Sequence, residues 1–301
     1  MKYRKVKDQL LKTLFKFATI LSASMVILIF VFIFNKGIRV FLPSYPQQVS
    51  LSAFLTGLSW RVETQSYGVF FIFVNTILTA FFAALIAFPI SVLSALYIVK
   101  IAPKRLSHIL TTVVELLAAI PSVVYGVFAA GVIVNLVEKL ATMLNYSSFA
   151  GRSMLAVILL LSIMIMPTMI SLSIVSIRAV SKDLEWSSLA LGASQTETNF
   201  KLVLPAAKSG IFSGLILALS RAFGEATAVS MVAGNRLVGP TFNPFNITRT
   251  LTSTMLAGLS ETSGLDYDIR FSVGIVLMLT IFVSNWAIHR FEKRITKGGQ
   301  S

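Results

Sequence analysis

Residues 153–177 read SMLAVILLLSIMIMPTMISLSIVSI, a stretch of 25 residues without a charged side chain. A hydrocarbon core of ~30 Å is crossed by about 20 apolar residues in a helix that rises ~1.5 Å per residue. The stretch has that length and shows no alternation of apolar and polar residues. It therefore predicts a transmembrane helix and not a strand of a barrel.

The composition of the whole chain agrees with this local pattern. Of its 301 residues, 55% are hydrophobic and 13% are charged, and the mean hydropathy is +0.82. A soluble domain carries about 25% charged residues, because its surface faces water. Six apolar blocks predict six spans, at 14–34, 68–98, 107–137, 153–177, 208–233 and 270–289. We therefore expect an all-α polytopic membrane protein with six transmembrane helices.

The third predicted span contains Pro121, which must break or kink a helix. Five or seven crossings therefore remain alternatives to six. The Gly- and Pro-rich connection 234–268 contains one stretch, 247–259, that is predicted to form a short interfacial helix.

The distribution of positive charge predicts the orientation. With Lys16 and Lys208 at the ends of their spans included, the two tails and the second and fourth connections hold 17 Lys and Arg residues. The other three connections, the last counted to Arg270, hold 8. Because cytoplasmic segments are enriched in Lys and Arg, we expect both termini and the 178–207 connection in the cytoplasm. The net charge of +14 then follows from topology, and no nucleic-acid partner is expected.

The residue types needed for most metal and nucleotide sites are scarce. The chain has no Cys, and its two His residues do not cluster with carboxylates in the sequence. It also lacks the G-x-x-x-x-G-K-[ST] pattern that binds nucleotide phosphates. We expect no disulfide, no metal site and no nucleotide bound by this chain.

The fifth predicted span begins at Lys208 and carries two ionisable residues in its interior, Arg221 and Glu225. At ~100° per residue they lie on the same face as a stripe of small residues. That stripe consists of Gly210, Gly214, Ala218 and Ala222. A charge inside a span costs at least ~2.5 kcal/mol, and the i,i+4 spacing would let the two groups pair. Two interpretations remain open: a structural ion pair, or a path-lining face on which the guanidinium of Arg221 meets an oxyanion.

The connection 181–205 predicts a knob of two short helices. Small residues precede Gly192, and glycine tolerates the left-handed turn that ends many helices. The second short helix is predicted to end at Leu204, before Pro205. Such a knob could fit into a cleft of another protein.

This connection resembles the coupling loop of bacterial ATP-binding-cassette (ABC) importer permeases. That loop runs Glu-Ala-Ala, three residues, Gly, nine residues, an aliphatic residue, one residue and Leu-Pro. Gly192 and 202–205 keep the spacing, whereas 186–188 read Trp-Ser-Ser and Glu185 lies one residue early. The resemblance implies that the loop contacts an ATPase. The implied coupling residues are Ser187, Ser188, Gly192, Ala193, Leu202, Leu204 and Pro205.

Three further motifs are similar to those of phosphate importer permeases of the PstC type. They are RAFGEATAV at 221–229, AAIPSVVYG at 118–126, and Tyr67-Gly68 leading into Asn75-Thr76-Ile77. The resemblance implies a type I ABC importer permease fold with its core at 67–290. The first helix and an outer loop would occupy 14–66, and 1–13 and 291–301 would be cytoplasmic tails.

The same resemblance implies partners and a location. The partners are a second related permease, which completes a heterodimer, two ATPase subunits that bind ATP and Mg²⁺, and an external phosphate-binding protein. The location is the bacterial cytoplasmic (inner) membrane, and the chain would be a transport subunit and not an enzyme. Arg221 and Glu225 would lie on the substrate path, with Ser122, Tyr125 and Thr227 as further lining.

Other functions remain open at this stage. The chain could be the sister subunit of the PstA type, or a permease for molybdate or sulfate. A secondary transporter would use Glu225 to carry protons, although the paired interrupted spans of such proteins are not evident. In a purely structural membrane protein, Arg221 and Glu225 would only hold helices together.

Overall fold

The structure, a computed structural model, describes residues 2–297 and the side chains of 8–290 and 292. Apart from one short hairpin and loops, these residues are helical. The helices are α1 (Lys2–Arg39), α2 (Leu51–Thr56), α3 (Phe70–Leu96), α4 (Lys104–Ala119), α5 (Ser122–Phe128), α6 (Val134–Met143), α7 (Met154–Arg178), α8 (Lys182–Ala190), α9 (Gln195–Glu197), α10 (Leu204–Gly224), α11 (Thr227–Val232), α12 (Leu251–Leu256) and α13 (Gly264–Lys297). The antiparallel strands are β1 (Trp60–Arg61) and β2 (Ser66–Tyr67).

Three π-helical segments join neighbouring helices into longer units. They are Tyr97–Ile101, Ala129–Ile133 and Thr198–Val203. With them included, six units of the described chain are long and apolar enough to cross a membrane, as the sequence predicts. Their bounds are Asp8–Arg39, Phe70–Ile101, Ser122–Met143, Met154–Arg178, Gln195–Gly224 and Gly264–Arg290.

The predicted tails are continuous with the first and last helices. Helix α1 begins at Lys2 and α13 extends to Lys297, so most of 1–13 and 291–301 is helical. Residues 1 and 298–301 lie outside the described residues.

Pro121 divides the third predicted span, 107–137, into two helices. Helix α4 ends at Ala119, Ile120 and Pro121 are extended, and α5 begins at Ser122. Proline has no N–H and disfavours helical geometry at the residue before it. The spanning unit is therefore Ser122–Met143, and the single predicted span of 107–137 is wrong in its bounds. Helix α4 packs against α7 and is not one of the six units that are long and apolar enough to cross a membrane. The number of crossings therefore stays at six.

The fifth span also differs from its predicted bounds of 208–233. Its π-helical segment leads directly into α10, where Pro205 lies in the first turn. Proline is tolerated at this position because it has no N–H that would need a hydrogen-bond acceptor. The wider π-helical turn before it leaves space for its ring. The predicted helix end at Leu204 is therefore wrong. At the other end, α10 terminates at Gly224, well before 233.

Helix α7 lies at the centre of the bundle and packs against α3, α4 and α10. The small-residue stripe of α10 faces it. A Cβ on Gly210 would lie 2.1 Å from the Ser176 Oγ, and one on Gly214 would lie 3.1 Å from the Leu172 Cβ. The stripe is therefore a close-packing surface in which small residues let two helices approach.

The two ends of the bundle carry different structures. We call the end formed by α8, α9 and the loop 181–205 the knob end. We call the opposite end, formed by β1, β2 and residues 234–263, the hairpin end. Helix α12 lies at the hairpin end and is buried through residues 251–254, so the helix expected at 247–259 is shorter than predicted and is not interfacial.

Candidate functional site

The fifth span is interrupted at Glu225. The backbone of this residue is extended (φ −75°, ψ 111°), and α11 begins two residues later at Thr227. The carboxylate is 9% exposed, and its Oε1 accepts a hydrogen bond from the amide of Ala228 at 2.9 Å. Glu225 thus satisfies one of the free amides at the start of α11 and stabilises the break.

Arg221 lies in the last turn of α10, directly before the break, and is partly exposed. Its Nη1 donates a hydrogen bond to the Thr168 hydroxyl of α7 at 3.1 Å. The end of a helix is a favourable place for a cation, because free carbonyl groups there give it partial negative charge. The position therefore tolerates the guanidinium without a carboxylate partner.

The predicted pairing of Arg221 with Glu225 is wrong. Neither residue belongs to any of the ion pairs identified among the described side chains. The i,i+4 geometry requires one continuous helix, and the helix ends between the two residues. The positive charge of Arg221 is therefore not neutralised by the carboxylate nearest to it in sequence.

Helix α12 fastens the break from the hairpin end. The Thr252 hydroxyl donates to the carbonyl oxygen of Glu225 at 2.7 Å. The Leu251 amide in turn donates to the Thr76 hydroxyl of α3 at 2.9 Å. This chain of contacts links the second turn of α3, α12 and the break. Sequence reasoning did not assign Thr168 or Thr252, and only the Asn75-Thr76 motif pointed to this region.

A cavity of about 320 Å³ lies beside the break. Gly224, Ala226 and Thr252 contribute to its wall, together with Arg270 of α13. The remaining lining is apolar and consists of Met255, Leu256, Leu259, Phe271 and Leu277. The break therefore borders open space on one side.

The second predicted lining region lies next to α11. A Cβ on Gly126 would lie 2.7 Å from the Met231 Sδ and 2.9 Å from the Ala228 Cα, so α5 and α11 are in close contact. Tyr125 is buried, and its hydroxyl donates to the Leu117 carbonyl at 2.8 Å across the interruption at Pro121. Tyr125 therefore supports the proline break and also lies within electrostatic range of Arg221.

Ser122 and Thr227 are both partly exposed at the starts of their helices. They lie on the two helices that meet at Gly126, which brings these predicted lining positions to one region of the bundle. No hydrogen bond joins their side chains to the described residues around them.

The knob has the predicted helix–turn–helix shape, although its second arm is not a separate short helix and continues into α10. Gly192 adopts a left-handed conformation (φ +88°) after α8. The amide of Ala193 donates to the Ser188 carbonyl at 3.2 Å, and that of Gly192 to the Leu189 carbonyl at 3.0 Å. This pair of bonds is the Schellman motif, which ends helices at such a glycine. Ser194 then begins α9 with a capping box that includes Glu197.

Two contacts hold the arms of the knob together and to the bundle. The hydroxyls of Ser188 and Thr198 lie 2.9 Å apart, which joins α8 to the second arm. Glu185 forms a largely buried ion pair with Lys100 at the end of the second span. The Glu185 carboxylate therefore fastens the knob to its own chain.

Three of the remaining predicted coupling residues make contacts within this chain. Leu202 and Leu204 pack partly against the core at the knob end, and the Ser187 hydroxyl donates to the Asp183 carbonyl at 2.8 Å within α8. On the knob, the most exposed apolar residues are ones that the sequence did not single out: Leu191 is 90% exposed and Trp186 is 65% exposed. These two give the knob an apolar outer surface.

Comparisons with known proteins agree with this architecture. The family described as binding-protein-dependent transport system inner membrane component matches residues 87–297. A probable ABC transporter permease protein, YqgH, of Bacillus subtilis is 35% identical over 267 residues, covering 87% of this chain and 83% of that protein. A phosphate transport system permease protein PstC of Pasteurella multocida is 31% identical over 260 residues, covering 80% of this chain and 81% of its own length.

A solved structure shares the fold. It is a bacterial alginate ABC transporter in complex with an alginate pentasaccharide-bound periplasmic protein, matched with a TM-score of 0.60 and 18% identity. The match covers 93% of this chain and 94% of the solved chain. The chain therefore belongs to the family of inner-membrane components of binding-protein-dependent transport systems, and it is a multi-pass permease subunit of an ABC importer.

Proposed function

We propose that this chain forms part of the translocation path of an ABC importer for inorganic phosphate. The proposal rests on the guanidinium of Arg221, which has no carboxylate partner among the described side chains and lies beside an interruption in the fifth span. A planar guanidinium binds tetrahedral oxyanions through two parallel hydrogen bonds. The 31% identity to a phosphate permease supports phosphate as the anion.

Glu225 has a different role in this proposal. Its carboxylate fixes the interruption by bonding to the Ala228 amide, and its negative charge limits how long an anion stays near Arg221. Ser122 and Thr227 border the same region, where their hydroxyl groups are free to donate hydrogen bonds to a passing oxyanion. Tyr125 lies beside them, but its hydroxyl already donates to the Leu117 carbonyl, so it contributes to the wall and not a hydrogen bond.

Coupling to ATP follows from the continuity of the fifth span. The knob residues 195–203 run without interruption into α10, so Gln195–Gly224 forms one helical unit of 30 residues that ends beside the break. A displacement of the knob therefore moves Arg221 as part of a rigid element. The proposed partners at the knob are two ATPase subunits, which bind ATP and Mg²⁺, and this chain contributes the apolar surface of Trp186 and Leu191.

The proposed orientation follows the Lys and Arg distribution, with the knob end and both termini in the cytoplasm. The hairpin end then faces an external phosphate-binding protein. A second related permease completes the path from the other side. The alginate importer, which was solved with its periplasmic protein, supports this kind of assembly.

Uptake by the assembled transporter tests the proposed substrate. Proteoliposomes that contain this permease with its partner subunits and binding protein are expected to accumulate labelled phosphate when ATP is supplied. A tenfold excess of unlabelled molybdate or sulfate should leave the rate within twofold. Strong competition by either anion, or no phosphate uptake, would overturn phosphate as the substrate.

A further inference from the structure

A second cluster of charged groups is buried at the hairpin end, apart from Arg221. Arg249 is 7% exposed, Arg270 is 5% exposed and Asp266 is 9% exposed. Burying a charge is costly unless an opposite charge or hydrogen bonds compensate it. Two cations and one carboxylate leave one positive charge without a counter-charge.

Arg270 is satisfied by its surroundings. Its Nε donates to the Asp266 carbonyl at 3.1 Å, and its Nη1 donates to the Thr254 carbonyl at 2.7 Å and to the Ala257 carbonyl. These contacts bind the carboxyl end of α12 to α13. The Asp266 carboxylate lies 3.7 Å from the Arg270 Nη2, so the carboxylate of the cluster is committed mainly to this arginine.

Arg249 is much less satisfied. Its Nη2 donates to the Asn235 carbonyl at 3.1 Å, but its buried Nε has no hydrogen-bond partner. Burial, with a smaller contribution from the positive charge of Arg270, lowers the pKa of Arg249 to about 10. The guanidinium nevertheless stays charged at neutral pH. It is a desolvated cation with a free donor.

The same region contains further buried polar atoms without partners. They are the Asn235 Oδ1, the Thr248 Oγ1 and the Asp266 Oδ1. The segments that carry the first two are joined, because the Arg236 amide donates to the Thr248 carbonyl at 3.3 Å. Unpaired buried polar atoms are rare in folded proteins, and their clustering indicates a site for a solvent molecule or a ligand. The Thr248 hydroxyl can donate to an anion, whereas the Asn235 and Asp266 oxygens only accept, so they need a donor such as water or the hydroxyl of a protonated phosphate.

We infer that Arg249 forms a second binding position for a small oxyanion, at the hairpin end of the path. An anion there supplies the missing counter-charge and an acceptor for the free Nε. Arg270 connects this position to the break, because its side chain also lines the cavity bordered by Gly224 and Ala226. The inference rests on the proposed function, in which an oxyanion enters from this end and passes to Arg221.

Phosphate-dependent stabilisation of the purified assembly tests the inference, and an Arg221→Ala background isolates the second position. In that background, inorganic phosphate is expected to raise the melting temperature in a saturable manner. Adding Arg249→Met, which keeps much of the side-chain length but removes charge and donors, should raise the half-saturating phosphate concentration at least tenfold. Arg236→Met is the matched control, since Arg236 belongs to the same end and binds the Val238 carbonyl. The Arg236→Met control should leave the half-saturating phosphate concentration within twofold.

An unchanged half-saturating concentration in Arg249→Met would overturn the inference, and so would an equal change in the Arg236→Met control. The absence of any phosphate-dependent stabilisation in the Arg221→Ala background would mean that only water occupies the site. If the Arg249→Met variant does not assemble, the Arg249→Lys variant provides the test of the second binding position. Lys keeps the charge but lacks the Nε donor, so a shift of threefold or more is expected and no shift would overturn the inference.

This outcome is separable from that of the proposed function. Failure of the wild-type assembly to take up phosphate would overturn the substrate and leave Arg249 testable with sulfate or molybdate as the probe. Normal uptake combined with unchanged binding in Arg249→Met would overturn only the second position.

Discussion

The carboxylate of Glu225 accepts a hydrogen bond at 2.9 Å from the amide of Ala228, on the far side of the interruption in the fifth span. This contact assigns the carboxylate to the backbone, and within the described part of the chain the guanidinium of Arg221 has no ionic partner. The two groups that seem paired in the sequence therefore have separate tasks. One fixes the shape of the break, and the other presents a positive charge beside it.

The separate task of Glu225 can be tested by two substitutions. Glu225→Ala removes the acceptor and should lower stability by about 1 kcal/mol, the usual cost of losing a helix cap. Glu225→Gln keeps an acceptor oxygen for the Ala228 amide and should therefore cost clearly less than Glu225→Ala. Thermal unfolding of the purified assembly measures both. Equal destabilisation by the two substitutions would contradict the capping role.

Uptake in the same variants separates stability from transport. The carboxylate charge is absent in both variants, so phosphate uptake should fall in Glu225→Gln even though the fold is retained. Glu261→Gln is a suitable control, because Glu261 is exposed in the short 3₁₀ turn at the hairpin end.

The ion pair between Lys100 and Glu185 predicts a coupling defect. Each side chain is 13% exposed, and breaking a buried pair typically costs about 3–5 kcal/mol because one charge is left uncompensated. Lys100→Met should therefore loosen the knob and raise the ATP hydrolysed per phosphate transported severalfold. The double exchange Lys100→Glu with Glu185→Lys should restore part of the coupling.

The exposed pair Lys201–Glu197 provides the control for this experiment. Its side chains are 77% and 49% exposed, so it contributes about 0–1 kcal/mol. Lys201→Met should leave the ratio of ATP to phosphate unchanged. A normal ratio in Lys100→Met would show that the buried pair has no part in coupling.

The knob surface predicts a cross-link to an ATPase subunit. The chain has no native Cys, so Ser194→Cys or Leu191→Cys introduces the only thiol. Either variant should cross-link to a partner ATPase that carries a cysteine in its cleft. Leu58→Cys, an exposed position at the hairpin end, should not react. Failure at every position of 181–205 would count against this surface as the ATPase contact.

The Lys and Arg distribution predicts the orientation of the termini. A reporter fused after Ser301 should read as cytoplasmic, and a tag inserted after the exposed Gln47 should be labelled from outside the cell. A periplasmic signal from the carboxyl-terminal reporter would reverse the proposed orientation.

The number and type of spans could be predicted because composition alone determines them. A block such as 153–177 has no stable place except lipid, and its observed helix, Met154–Arg178, differs by one residue at each end. The left-handed turn at Gly192 was also predictable, since few other residues adopt that conformation without strain.

The interruption at Glu225 could not be predicted from local pattern. Gly224 is tolerated in many transmembrane helices, and the break depends on the Thr252 hydroxyl, which lies 27 residues further along the chain. The same limit applies to the pairing of Lys100 with Glu185, whose positions are 85 residues apart. Tertiary contacts determine both the break and the ion pair, and the pattern of residues within one segment does not predict such contacts.

The central claim is that the unpaired guanidinium of Arg221 holds a passing oxyanion. The most direct test is phosphate uptake by proteoliposomes containing Arg221→Ala, Arg221→Lys or the exposed control Arg152→Ala. A hydrogen bond to a charged group contributes about 1.5–3 kcal/mol, so Arg221→Ala should lower uptake about tenfold or more, with assembly unchanged. Arg221→Lys should retain part of the rate, and Arg152→Ala should match wild type. Wild-type uptake by an assembled Arg221→Ala transporter would contradict the account.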